Sequence, residues 1–164
     1  MDIRAELPGK IVVKPGAKDS LPEIIESLGC TNIVVVTDRN LWSMLGRELE
    51  NIFGGRGIAF STVFAESADG NSVEAAKRTI ESSNACLVLG VGGGRPIDVA
   101  KYAAFLSKRF FISFPTAISH DGFASPIVAL KDPQGNPLSI FTRPPTAVVV
   151  DTDIVAQAPR RLLA

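Results

Sequence analysis

Three consecutive glycines at 92–94 separate an apolar run, 87–91, from a stretch in which Pro96 suits the first turn of a helix. A short apolar run of this kind is typical of a buried parallel strand. A strand, a glycine loop and a helix start together present backbone N–H groups and the positive end of a helix to an anion. Glycine is needed there because a Cβ would keep a pyrophosphate away from the backbone. The stretch therefore predicts a nucleotide site, with a tight structural turn as the alternative.

The spacing of this loop differs from the common dinucleotide fingerprint G-x-G-x-x-G. Gly90 and Gly92 begin that pattern, but Arg95 stands where its third glycine belongs. The loop also comes late in the chain instead of after the first predicted strand. The local chemistry therefore predicts a pyrophosphate site, whereas membership of the ordinary Rossmann family does not follow.

Three charged side chains near predicted strand ends each have two interpretations. Asp38 follows an apolar run, where it could bind a ribose hydroxyl or be an ordinary solvated turn residue. Asp98 falls in the first turn after the glycines, where it could shape the loop or hold a cofactor, or simply be stabilised by the helix N-terminus. Arg95 could add a charge contact to the phosphates or face solvent.

Small polar residues are dense directly after another apolar run, within 116–126. They are Thr116, Ser119, His120, Asp121 and Ser125. His120 is the only histidine of the chain, and a single histidine is more often structural than a ligand. The density of polar groups after a buried strand nevertheless indicates a binding site. One histidine without a close pair of carboxylates does not make a zinc site, so we expect no metal site in this chain.

The elements that would position these residues alternate between strand and helix. Apolar runs predict strands at 10–14, 33–37, 58–64, 87–91, 110–114 and 146–150, and helical patterns follow the first four. Capping-box spacing predicts helix starts at Ser20 and Asn71. Turn residues at 131–138 predict a hairpin. This alternation predicts an α/β fold, a parallel sheet with helices on both faces, whose ligand lies outside the carboxyl ends of the strands.

The composition limits the class of protein. The 164 residues are 46% hydrophobic and 21% charged, which fits one globular domain over 1–164. Lys plus Arg and Asp plus Glu are equal at 17 each, which argues against a nucleic-acid partner. No apolar run has the length of a membrane span, and the first residues lack the apolar core of a signal peptide. Cys30 and Cys86 are expected to be separate core thiols in a reducing compartment, which predicts a cytoplasmic location.

Two segments closely resemble the sn-glycerol-1-phosphate dehydrogenases. They are 92–101, Gly-Gly-Gly-Arg-Pro-Ile-Asp-Val-Ala-Lys, and 114–126, Phe-Pro-Thr-Ala-Ile-Ser-His-Asp-Gly-Phe-Ala-Ser-Pro. The wider group includes glycerol dehydrogenases, iron-dependent alcohol dehydrogenases and 3-dehydroquinate synthase, which share the Gly-Gly-Gly-x-x-x-Asp element. The Ser-His-Asp-Gly-x-Ala-Ser-Pro run is far more selective. The resemblance covers essentially the whole chain, but only the nucleotide-binding half of the family's protein.

This resemblance implies a Rossmann-like domain that binds NAD or NADP. The pyrophosphate loop would be Gly92, Gly93, Gly94, Arg95, Pro96, Ile97 and Asp98, and the rest of the cofactor would contact Thr116, Ala117, Ile118, Ser119 and Ser125. Asp121 would contact the substrate. The family's reaction reduces dihydroxyacetone phosphate to sn-glycerol 1-phosphate for archaeal membrane lipids. Its zinc is held by an aspartate and two histidines of a helical second domain, so we expect those ligands to lie outside this chain.

The end of the chain carries a further expectation. Ile154, Val155, Leu162 and Leu163 would form an apolar face for a second domain, which predicts that the chain self-associates as a homo-oligomer. Without the zinc domain we expect the chain to bind cofactor but not to turn over substrate. Two alternatives are a sister enzyme, either a glycerol or polyol dehydrogenase or a dehydroquinate-type synthase, and a non-catalytic module that binds a dinucleotide.

Overall fold

A computed structural model describes residues 7–118 and 121–158 of the chain. Its strands are β1 Lys10–Lys14, β2 Asn32–Thr37, β3 Ala59–Phe64, β4 Leu87–Gly92, β5 Phe110–Pro115, β6 Ile127–Lys131, β7 Pro137–Phe141 and β8 Ala147–Asp151. Its α-helices are α1 Leu21–Ser27, α2 Arg39–Gly54, α3 Gly70–Ser83, α4 Gly94–Ser107 and α5 Thr152–Val155. Two 3-10 helices cover Ala17–Ser20 and Asp121–Phe123.

Six of the strands form one parallel sheet in the order β1-β8-β5-β4-β2-β3. β6 and β7 pair antiparallel as the predicted hairpin, with Lys131 opposite Pro137 next to the turn. The predicted strands and the parallel α/β fold are confirmed. The strands of the sheet are rich in Val, Ile and Phe because helices cover both of their faces.

Two apolar cores lie on the two faces of the sheet. On one face, Leu49 and Phe53 of α2 pack with residues of α1 and with Ile33 and Val35 of β2. On the other face, residues of α3 and α4 pack with Val34 and other alternate strand residues. The hairpin belongs to this second face, where Val128 and Leu130 are buried. Consecutive strand residues thus point to opposite cores, as a doubly covered sheet requires.

The chain leaves the neighbouring strands β2 and β4 in opposite directions. α2, which follows β2, packs on one face, whereas α4, which follows β4, packs on the other. Between such a pair of strands the two outgoing loops diverge and leave a crevice, and open parallel sheets bind ligands in this crevice. The fold therefore places the crevice between the residue after β2, Asp38, and the glycines that follow β4.

The helix start predicted at Ser20 is confirmed, whereas the start predicted at Asn71 is slightly too late. Ser20 precedes α1 but its side chain makes no capping hydrogen bond. α3 begins at Gly70, before the predicted Asn71, because Asp69 is its cap and accepts a hydrogen bond from Ser72 N at 3.0 Å. A carboxylate is a strong acceptor for the N–H groups of a first turn, and the Ser67 hydroxyl also donates to it at 2.7 Å.

Cys30 and Cys86 are joined in a disulfide, so the prediction of two separate thiols is wrong. The two residues directly precede neighbouring strands, since Ile33 of β2 is in register with Leu87 of β4. Their Cα atoms are therefore only 5.9 Å apart although 56 residues separate them in sequence. Disulfides are rare in the cytosol of mesophiles but frequent inside hyperthermophiles. The cysteines consequently no longer support the predicted cytoplasmic location.

Removal of this disulfide should lower the stability of the chain strongly. A disulfide that closes a loop of 56 residues lowers the entropy of the unfolded chain. In the loop-entropy model this raises the free energy of unfolding by about 4 kcal/mol. We expect the paired variant Cys30→Ala/Cys86→Ala to unfold at lower denaturant concentration than the oxidised protein. Reductant should shift the midpoint of the oxidised protein only. Detection of two free thiols in the unreduced, denatured protein would contradict the bridge.

The described part of the C-terminal region packs on its own sheet. Val155 is buried against Val148 and Val150, and Ile154 packs on the opposite core. The prediction that these two residues form an exposed apolar face is therefore wrong, while Leu162 and Leu163 lie outside the described residues. The cause is Asp151, which caps α5 directly after β8 and turns the short helix back over β1 and β8.

Asp151 also fixes the turn that follows the first strand. Its fully buried carboxylate accepts hydrogen bonds from Gly16 N and Lys18 N, both at 3.1 Å, and from Asp153 N at 3.1 Å. The Lys18 ammonium lies 3.9 Å from the same group. The end of the last strand is thus connected to the turn after the first strand.

Among the residues that the structure describes, no helix combines the length and the apolar character that a membrane span needs.

Candidate cofactor site

Helix α4 begins after a glycine, whereas α2, α3 and α5 each begin after an aspartate. Asp38, Asp69 and Asp151 cap α2, α3 and α5 with their carboxylates. The N-cap of α4 is Gly93, which has no side chain to donate to or accept from the first turn. The electropositive end of this 14-residue helix is therefore available to a ligand anion.

The backbone N–H groups at this helix end can be assigned individually. Pro96 has no N–H, and Ile97 N donates to Gly93 O at 3.4 Å. The N–H groups of Gly94 and Arg95 belong to the first turn, where no earlier helical carbonyl can accept from them. They point outward from the helix end, which is the arrangement that binds phosphate groups.

The glycines around the loop differ in what they contribute. Gly92 has φ +141°, and a Cβ on it would lie 2.6 Å from Cγ of Pro96. A Cβ on Gly90 would lie 3.0 Å from Cβ of Ala100, so glycine allows α4 to pack closely on β4. A Cβ on Gly93 would meet no atom within 4 Å, and its φ of −83° is open to any residue. At Gly93 the absent side chain leaves open space at the helix end.

Asp38 and Thr116 lie on the two sides of this loop. Asp38 Oδ1 accepts from Leu41 N at 2.8 Å, and Oδ2 lies 3.7 Å from the position that a Cβ of Gly92 would occupy. Thr116 N donates to Gly92 O at 2.9 Å. The structure therefore brings together the loop, the acidic residue after β2 and the first residue after β5, as the parallel sheet predicts.

Arg95 is exposed and held by the neighbouring loop. Its Nη1 donates to Glu66 O at 2.8 Å, and the Glu66 carboxylate forms an exposed ion pair with Arg39 at 3.3 Å. The guanidinium thus joins the glycine loop to the segment after β3.

The hydrogen bonds from the Ser67 hydroxyl and from Ser72 N hold the pKa of nearby Asp69 below its ordinary value.

Asp98 is buried on the opposite side of α4 from solvent. Its Oδ2 accepts from Ala129 N of β6 at 3.4 Å, so this carboxylate connects the helix to the hairpin. Pro96 and Ile97 are buried beside it and shape the first turn of the helix. This hydrogen bond of Asp98 thus goes to the hairpin, and the predicted role of Asp98 at the glycine loop stays a prediction.

The residues of the polar segment after β5 occupy different environments. Ala117 is buried, Ile118 is 47% exposed, and the half-buried Ser125 hydroxyl accepts from Ile127 N at 3.3 Å. Ser119, His120 and the side chain of Asp121 lie outside what the structure describes. The backbone of Asp121 begins the 3-10 helix Asp121–Phe123, which contacts α4.

Lys101 was not singled out by the sequence, yet it is the most buried charged residue near the site. Its side chain is 1% exposed, and its ammonium donates to backbone carbonyls of the segment that follows Asp121. A lysine three residues after Asp98, within a helix that is apolar on most sides, is a signal that could have revealed it. Burial of such a group requires specific partners.

Two further features do not contribute to this site. A concavity of about 890 Å³ lies at the amino ends of β4 and β5, where Phe105, Arg109 and Arg143 line it, away from the crevice. Within 7–118 and 121–158, no three His, Cys, Asp or Glu side chains are grouped so that they could hold a metal ion.

Comparison with known proteins assigns the chain to a family. A family model described as iron-containing alcohol dehydrogenase matches residues 12–159. The chain belongs to this family. It is 59% identical over 162 residues to a glycerol-1-phosphate dehydrogenase [NAD(P)+] of Thermofilum pendens and 42% identical to one of Hyperthermus butylicus. It covers 99% and 98% of its own length in these matches but only 46% of each relative.

Solved structures of the family agree with the fold. A probable glycerol dehydrogenase from Sinorhizobium meliloti superposes with a TM-score of 0.87 at 25% identity, over 99% of this chain and 44% of that one. The chain thus spans about half the length of the relatives that it matches. The family resemblance inferred from the glycine loop and the polar segment is confirmed.

Proposed function

We propose that this chain is the NAD(P)-binding part of an oxidoreductase that reduces dihydroxyacetone phosphate to sn-glycerol 1-phosphate. The observation that carries the proposal is the 59% identity to a glycerol-1-phosphate dehydrogenase over nearly the whole chain. The uncapped helix α4 at the crevice of the sheet supports it, because this is where a dinucleotide binds on such a fold. The product would serve the synthesis of archaeal-type membrane phospholipids.

In this proposal the cofactor lies across the carboxyl ends of β2, β4 and β5. The N–H groups of Gly94 and Arg95 bind the pyrophosphate, and the open space at Gly93 admits it. Asp38 accepts a hydrogen bond from a ribose hydroxyl with the oxygen that faces Gly92. The other proposed contacts are 116–119 and Ser125, while Pro96, Ile97 and Asp98 shape the loop. Bound NAD(P)H would supply the hydride that the carbonyl carbon accepts.

Asp121 is the proposed substrate contact. It follows β5 and begins the 3-10 helix that packs beside α4, so its backbone lies next to the elements that hold the cofactor. A carboxylate there would accept a hydrogen bond from a substrate hydroxyl and hold the carbonyl carbon within reach of the nicotinamide. Contacts of this kind lower the barrier by orientation, and so they affect turnover as well as affinity.

The remaining parts of the proposal concern the longer protein. Zinc ligands would come from the part of the enzyme that this chain does not include. The proposed roles of the residues in this chain do not depend on them. We also propose that the enzyme is a homo-oligomer and works in the cytoplasm, where NAD(P)H and phosphorylated trioses are available. The isolated chain should bind cofactor without catalysing the reaction.

An assay of the longer protein tests the proposed function. With NADH and NADPH as alternative donors, we expect dihydroxyacetone phosphate to be reduced with a far higher kcat/KM than dihydroxyacetone, because the phosphate adds binding energy in the transition state. The similarity to a probable glycerol dehydrogenase makes a sister enzyme the second candidate. A preference for the unphosphorylated ketone or for glycerol would favour that candidate. Cofactor binding without any turnover would favour a non-catalytic module.

A further inference from the structure

Lys101 holds the polar segment after β5 through several backbone carbonyls. The ammonium donates to Gly122 O, to Ser125 O at 2.8 Å and to Ile127 O at 3.0 Å. An ammonium has three N–H donors, so it can bind several parts of one segment at the same time. The side chain is 1% exposed, and the segment is therefore fastened to the middle of α4 from inside the protein.

The charge of Lys101 is balanced within the same helix. Asp98, one turn earlier, places Oδ1 4.0 Å from the ammonium, while its Oδ2 accepts from Ala129 N. The two side chains thus bind consecutive parts of the segment 122–129. A buried ion pair is an expensive way to pack a helix, since apolar residues of similar size are often equally stabilising. What the pair supplies here is a fixed position of the segment relative to α4.

The position of Lys101 on α4 connects two parts of the proposed cofactor site. The helix starts at Gly94, and Lys101 is seven residues further, about 10 Å along the axis at 1.5 Å per residue. The segment that it holds contains Ser125 and directly follows Asp121. One rigid helix therefore links the pyrophosphate loop to Ser125, a proposed contact of the rest of the cofactor, and to Asp121, the proposed substrate contact.

We propose that Lys101 is a positioning residue, which holds the 121–127 segment so that the nicotinamide half of the cofactor is bound in register with the pyrophosphate. The inference rests on the proposed function for the identity of the ligand. Without the ammonium, these three carbonyls lose the donor that they share, and the segment is no longer fixed to the middle of α4. We expect the N–H groups of Gly94 and Arg95 and the space at Gly93 to be unaffected, because they lie at the start of α4, about 10 Å along the axis from Lys101.

The test compares two ligands on the same chain. Lys101→Met keeps the length of the side chain and removes the ammonium. We expect the Kd for ADP, which carries only the pyrophosphate and adenosine parts, to stay within about twofold of the original chain. The Kd for NADH or NADPH should rise about tenfold or more. Titration calorimetry measures both ligands, and thermal unfolding defines the temperature at which each variant is folded.

Two further variants make the comparison specific. Lys77→Met removes a partly exposed lysine of α3 that pairs with Glu74, and it should leave both affinities unchanged. Lys101→Gln keeps two N–H donors on a shorter side chain, and it should show a smaller but still selective loss of NAD(P)H affinity. A higher NAD(P)H affinity of Lys101→Gln than of Lys101→Met would show that the hydrogen bonds position the segment. A general loss of stability would not depend on the donor group in this way.

The outcomes separate this inference from the proposed function. If the original chain binds neither ADP nor NAD(P)H, the proposed function fails. If the chain binds them and folded Lys101→Met binds both as well as before, or loses both equally, the positioning role is overturned. Failure of both Lys101 variants to fold would assign the residue to stability alone and would also overturn it.

Discussion

Gly93→Val should abolish the binding of NAD(H) and NADP(H) while the chain stays folded. The residue has φ −83°, which valine adopts readily, and a Cβ there would meet no protein atom within 4 Å. The added side chain would therefore fill only the space assigned to the pyrophosphate. We expect the Kd to rise about 100-fold or more, because the phosphates could no longer approach the N–H groups of Gly94 and Arg95.

Gly70→Val provides the matched control for this prediction. Gly70 is in the first turn of α3, and a Cβ on it would also meet no atom within 4 Å. Its helix is already capped by Asp69, so we expect the variant to bind cofactor like the original chain. Titration calorimetry and thermal unfolding should be measured for both variants. Equal cofactor affinities of Gly93→Val and Gly70→Val would remove the glycine loop from the proposed site.

Asp121→Asn in the longer enzyme should lower kcat/KM for dihydroxyacetone phosphate about 100-fold. Asparagine has nearly the same size and is also a good capping residue, so the 3-10 helix that begins at this position should persist. What changes is the charge that accepts a hydrogen bond from the substrate. We expect kcat to fall and KM to rise, while the Kd for NAD(P)H and the melting temperature change little.

The opposite pattern would assign Asp121 to the fold. If Asp121→Asn retains its kcat/KM and only the melting temperature falls, the residue is a cap and the substrate is held elsewhere. Asp132→Asn is a suitable control, since Asp132 lies in the hairpin turn, where it accepts hydrogen bonds from Gln134, Gly135 and Asn136 of the same turn. It should change neither kinetic constant.

The strand positions could be predicted because each strand is a short apolar run bounded by turn residues. Ile33 to Thr37 and Phe110 to Phe114 are examples. The turn between β6 and β7 could be predicted in the same way from its Asp-Pro-x-Gly sequence. Parallel pairing followed from the alternation with helices. The place of the glycine loop at the carboxyl edge followed in turn, because all strands of such a sheet end on the same side.

Features that depend on the order of strands could not be predicted in the same way. The Cys30–Cys86 bridge exists because β2 and β4 are neighbours although β3 lies between them in sequence. In the sequence, Lys101 is one polar residue of a mostly apolar helix. Its role becomes visible only in the structure, where the segment 122–127 packs over it and accepts its hydrogen bonds. The caps of α1 and α3 were mispredicted since spacing alone does not show which of several nearby polar side chains reaches the N–H groups.

The pairing of β1 with β8 affects the order in which the protein is made and folded. Among the described strands, β1 pairs only with β8, and Gly16 N donates to the carboxylate of Asp151, 135 positions later. During translation at 5–20 residues per second, the first strand therefore waits on the order of ten seconds for its partner. The sheet can grow from β2 to β5 in that interval. β1 therefore leaves the ribosome well before its partner strand and docks late, with one edge of its backbone unpaired in the meantime.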